Sequence, residues 1–150
     1  SEAQLHADVR AAWDAIALSY RARSLPIVIY GRSLGTGLAA YLARDVDPAL
    51  LVMVTPYTSM AAAGKRAYPF APEWLLKYPM RTDTIIGEVK SPVLLVHGTR
   101  DELLPLSDSE QLRALARSPV ELLVVEGAGH NDLHQFPAYL EGLAARLPHR

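Results

Sequence analysis

A serine between two glycines, an aspartate in a tight turn and a histidine in a glycine-flanked loop could together do covalent chemistry. Ser33 stands in Gly31-Arg32-Ser33-Leu34-Gly35, Asp101 in His97-Gly98-Thr99-Arg100-Asp101, and His130 in Gly127-Ala128-Gly129-His130-Asn131-Asp132. The chemistry open to such a set is acyl transfer. An imidazole takes the serine proton, the serine attacks a carbonyl, and a carboxylate holds the imidazole in the right tautomer. Glycines at 31 and 35 suit a strained turn, where side chains are expected to collide with neighbouring backbone. The Leu34 backbone N–H is the expected donor to the oxyanion, helped by the positive end of a helix that starts there. Asp101 is preferred to its neighbour Glu102 as the orienting acid; its plain alternative is a turn former.

The other histidines fit this chemistry less well. His6 and His149 lie near the ends and are expected to be solvated, while His97 is expected to be packed or hydrogen-bonded. His130 and His134 are four apart, like a metal-binding pair, but no glutamate follows the first as the zincin pattern requires. Neither a metal nor an organic cofactor is expected.

These residues need elements to position them. Leu5, Val9, Ala12, Trp13, Ile16 and Tyr20 recur at helical spacing and predict one amphipathic helix over Ala3–Arg23. The β-branched run Ile27–Tyr30 predicts a buried strand, followed by the serine turn and an Ala-rich helix over Thr36–Arg44. Further strands are expected at Leu50–Thr55, Pro92–His97 and Glu121–Val125. Helices are expected at Ser107–Arg117, with Ser107 as cap, and at Asp132–Arg146. Residues 57–91 read as an irregular, cap-like excursion broken by Pro69, Pro72 and Pro79, with a short helix at Glu73–Lys77. Apolar, non-alternating strands separated by helices argue for an α/β fold: about four parallel strands flanked by helices. Ser33, Asp101 and His130 each follow a strand, so all three arrive at the edge where ligands bind in such sheets.

The 150 residues suit a single domain, half hydrophobic and about a fifth charged. A formal net charge of −1 with no basic block speaks against nucleic acid as a partner. There are no cysteines, which excludes disulfides and a thiol nucleophile and accords with a cytoplasmic setting. No apolar run is long enough to suggest a membrane segment.

In combination, the motifs resemble the α/β-hydrolase superfamily, in particular its branch of abhydrolase-domain, depalmitoylase-like serine hydrolases. The resemblance rests on Gly31–Gly35, Pro56-Tyr57-Thr58-Ser59, Tyr68-Pro69-Phe70 with Trp74-Leu75-Leu76, His97–Asp101 and Gly127–Asp132. It implies a partial α/β-hydrolase fold that lacks the first strands, and with them the loop that donates the second oxyanion N–H. The first strand's free edge would then be covered by a missing N-terminal half or by an oligomer. The expected reaction is hydrolysis of a small acyl ester or thioester, with Tyr57, Tyr68, Phe70 and Trp74 as candidate pocket walls. The alternatives are a catalytically weak fragment acting as an interaction module, and a peptidase or amidase using the same triad.

Overall fold

Four short runs rich in Val, Leu and Ile form the strands of one sheet: β1 (Val28–Arg32), β2 (Leu50–Val54), β3 (Val93–Gly98) and β4 (Val120–Val125). The structure is a computed structural model and describes residues 1–67, 69–70 and 78–148. The strands pair in parallel in the order β1-β2-β3-β4. Around them lie α1 (Glu2–Ala22), α2 (Gly35–Val46), α3 (Met60–Ala67), α4 (Thr82–Ile85), α5 (Leu106–Leu115) and α6 (Pro137–Ala144).

Every residue of β2 and β3 is buried, because both faces of the central strands are covered. Leu51, Met53, Val93 and Leu95 pack with Trp13, Ala40, Ile86 and Leu112 on one face. Val52, Val54, Leu94 and Val96 meet Leu133 and Tyr139 on the other. Parallel pairing puts the C-terminal ends of all four strands on one edge, which sets where the loops converge.

Several expected boundaries move, each for a local reason. The closing helix does not run unbroken from Asp132. A 3₁₀ turn at Leu133–Gln135 comes first, Phe136 is extended at ψ 120°, and α6 begins at Pro137. The proline ring disfavours helical backbone at the residue before it, so Phe136 breaks the run. Ser107 is not a cap: α5 already begins at Leu106, after an extended Pro105 that makes no side-chain capping bond. The excursion is also more regular than expected, since α3 and α4 form within it. Arg66 of α3 grips the buried Asp108 carboxylate of α5 at 3.2 and 2.6 Å, tying this segment to the body. The helix expected at Glu73–Lys77 lies outside the described residues, as does His149. His6 is not simply solvated, because its ring stacks on Tyr41 with centroids 3.4 Å apart.

Among the described residues β1 has a partner on one side only. Beside its free edge a groove of about 390 Å³ runs between Val9, Trp13 and Ile16 of α1 and the strand itself. No helix among the described residues is long and apolar enough to cross a membrane.

Candidate active site

The turn after β1 holds Ser33 in left-handed backbone at φ 49°, a conformation that non-glycine residues rarely adopt. A side chain at Gly31 would sit 2.6 Å from both the Gly35 carbonyl oxygen and Ala39 Cβ, so the turn closes only over a glycine. Gly35 is a correction to the sequence reading. A Cβ there meets nothing within 4 Å, so no collision requires that glycine. The Ser33 N–H donates to the Val54 carbonyl (2.9 Å), and its own carbonyl accepts from Thr36 Oγ1 (2.7 Å). Leu34 takes the cap position of α2. Its N–H therefore belongs to the helix-start donors that have no partner within the helix.

The loops after β3 and β4 are pressed together. The Arg100 N–H donates to the Ala128 carbonyl at 2.8 Å, and any side chain at Gly98 would overlap that same carbonyl. This contact brings Asp101 to His130. The His130 Nδ1–H donates to Asp101 Oδ2 at 2.8 Å, and His130 Nε2 lies 2.9 Å from Ser33 Oγ, placed to accept the hydroxyl proton. Asp101 Oδ1 accepts from the N–H groups of Leu103 (3.0 Å) and Leu104 (2.8 Å). Burial pushes the Asp101 carboxyl up, but His97, the Leu104 N–H and His130 more than reverse this and draw it down to about 2. It is therefore an anion at neutral pH, as an imidazole-orienting acid must be.

The His130 loop is itself held. Its Gly129 N–H donates to Asp132 Oδ1 at 2.6 Å. Arg32, the residue before the serine, donates to the His130 carbonyl at 2.8 Å and reaches Asn131 Oδ1 at 3.4 Å. Nothing in the spacing marked Arg32, because its partners lie 98 and 99 residues away.

A groove of about 290 Å³ opens beside Ser33, lined by Leu34, Tyr57, Met60, Ala63, Gly64, Leu103 and Leu104. Of the aromatics expected as walls, Tyr57 is there. It is almost wholly buried and its hydroxyl donates to the Leu34 carbonyl at 3.1 Å. Burial raises that hydroxyl to about 12, so it stays a donor at neutral pH. Phe70 is 99% exposed and does not line the groove. Tyr68 and Trp74 lie outside the described residues. The walls that the sequence reading missed come from α3 and from Leu103-Leu104. The one available signal was the run of small residues at Ala61–Gly64, which permits close approach but does not say to what.

The family described as "Alpha/beta hydrolase domain" matches residues 2–136. The chain is 38% identical over 144 residues to human alpha/beta hydrolase domain-containing protein 17B, covering 95% of this chain and 49% of that protein. It is 35% identical over 150 residues to mouse alpha/beta hydrolase domain-containing protein 17C, covering 99% and 46%. The chain thus spans about half the length of these relatives. Among solved structures, it is similar to the esterase domain of a Rhodothermus marinus protein, with a TM-score of 0.68 and 20% identity over 93% of this chain and 66% of the other. It is likewise similar to an alpha-beta serine hydrolase homologue from Coxiella burnetii, with a TM-score of 0.67 and 23% identity over 94% and 57%.

Proposed function

The chain belongs to the alpha/beta hydrolase domain family, and from that premise we propose that it is a serine hydrolase of esters or thioesters. The observation that carries this reading is the unbroken run from Asp101 through His130 to Ser33, with both links under 3 Å. His130 Nε2 takes the Ser33 proton as Oγ attacks the acyl carbonyl, and Asp101 stabilises the imidazolium that forms. The Leu34 N–H, at the positive end of α2, receives the developing oxyanion. The imidazolium returns its proton to the departing alcohol or thiol, leaving the acyl group on Oγ. Water, deprotonated by the same His130, then releases the acid and restores the serine.

The apolar groove beside Ser33 supports an acyl group as the part of the substrate held there. A fluorophosphonate probe tests the reading: the wild type is expected to label at Ser33, and Ser33→Ala to lose the label. Absence of labelling in a folded wild type overturns it. That result would favour the second reading, an interaction module that uses the free β1 edge and its neighbouring groove. An amide or peptide substrate would use the same three residues; comparing acyl release from matched ester and amide substrates separates the two.

A further inference from the structure

Asp101 faces two imidazoles. His97, at the end of β3, is fully buried and occupied on both ring nitrogens. Nε2 lies 2.9 Å from the Leu104 carbonyl oxygen and Nδ1 lies 2.7 Å from Ser109 Oγ of α5. A carbonyl can only accept, so Nε2 carries a proton; in the neutral ring Nδ1 is then a lone pair that takes the Ser109 O–H. The same Nε2–H lies 3.5 Å from Asp101 Oδ2. This is too long for a second full hydrogen bond, yet the N–H dipole still favours negative charge on that oxygen in a dry environment. Oδ2 is also the oxygen that holds His130.

We propose that His97 is a positioning residue for the acid of the site. Locked in its Nε2–H form by Ser109 and Leu104, it presents that N–H to the Asp101 oxygen that holds His130. In this way it limits how much of the carboxylate's charge His130 receives. The catalytic meaning rests on the function proposed above, but the coupling between the two histidines does not. Among the described residues, the charged and titratable groups facing the pair are Asp101, from the loop after β3, and Arg32, whose guanidinium sits on the His130 carbonyl. Asp108, beside Ser109 on α5, is engaged by Arg66. Ordinary core packing explains a buried ring with both nitrogens satisfied, but not that the Nε2–H given to the Leu104 carbonyl lies on the side of the ring that faces Asp101 Oδ2.

Side-chain ¹⁵N NMR of the folded chain tests the proposal without needing turnover. In the wild type, the neutral His97 ring is expected as the Nε2–H tautomer. An Nδ1–H tautomer overturns the proposal, and this arm requires no variant. His97→Asn keeps a partner for Ser109 but loses the donor to Asp101. The His130 Nδ1–H proton resonance should then move downfield as the carboxylate turns more of its charge to His130 and that hydrogen bond strengthens. His97→Gln, which can place a donor near the Nε2 position, should restore the wild-type resonance position. An unmoved His130 Nδ1–H resonance in a folded His97→Asn chain overturns the proposal, even where the fluorophosphonate labels Ser33. Conversely, the predicted shift in a chain that does not label leaves the histidine coupling standing while the hydrolase reading falls.

Discussion

At the scale of single residues, the site is defined by how its carboxylate is satisfied. Asp101 accepts from two backbone N–H groups and from His130, and His97 lies close by. These donors outweigh the cost of burial and leave the carboxyl at about 2. A folded-state value below the unfolded one of ~3.9 stabilises the fold above the unfolded value, and that stability is lost as pH falls toward 2. Between about pH 6 and pH 3, roughly 1 kcal/mol should disappear through this group. Urea denaturation at the two pH values reads it. Asp101→Asn should flatten the pH dependence by about that amount, and an equally steep dependence in the variant would place the effect elsewhere. Arg32 acts at the same scale, joining the serine turn to the His130 loop through one backbone carbonyl.

Among the elements, the junction of β1 with α2 carries the strain that exposes Ser33, and its two glycines are not equivalent. A methyl at Gly31 has to displace the Gly35 carbonyl and Ala39, both 2.6 Å away, and overpacking of this kind costs about 1–3 kcal/mol. A methyl at Gly35 meets nothing and replaces the poorest ordinary helix former with the best, a gain of about 0.5 kcal/mol at the first turn of α2. Thermal denaturation of Gly31→Ala and Gly35→Ala should therefore move in opposite directions. Equal losses would mean that the second glycine of the motif is needed for a reason its surroundings do not supply.

For the molecule as a whole, the sheet has two unlike edges. β4 gives one of its two exposed positions to Glu121, a charge that discourages pairing, and the other to Val124. β1 instead faces an apolar groove, with Ile16 and Tyr30 half exposed beside it. Unpaired strand groups next to apolar surface invite another chain. The 150-residue chain is expected to self-associate as its concentration rises, and Ile16→Lys should weaken that association. Light scattering across a dilution series checks both. A mass that stays monomeric at every concentration would contradict the expected association.

Much of this was legible in one dimension. Leu50–Thr55 and Pro92–His97 are mostly apolar on successive residues, as strands buried on both faces are, and with the intervening helices they predict a parallel sheet. Ile27–Tyr30 reads the same way, but the structure leaves Tyr30 half exposed at the edge, so that strand is not buried as expected. The order serine, aspartate, histidine, each just past a strand, then brings the three to one edge. These are local signals, carried by neighbouring residues and the chain's own covalent geometry. The break at Phe136 could also have been read from Pro137, since a proline restricts the residue before it. What depended on distant partners could not be read. Arg32 meets a carbonyl 98 residues on, Arg66 finds Asp108 across 42, and Gly35 has open space where its motif suggested crowding. His97 shows the division most clearly. Its burial could be inferred from its place at a strand end, but its tautomer, and so what it offers Asp101, is set by a serine on α5 and a backbone carbonyl that only the folded chain brings to its two nitrogens.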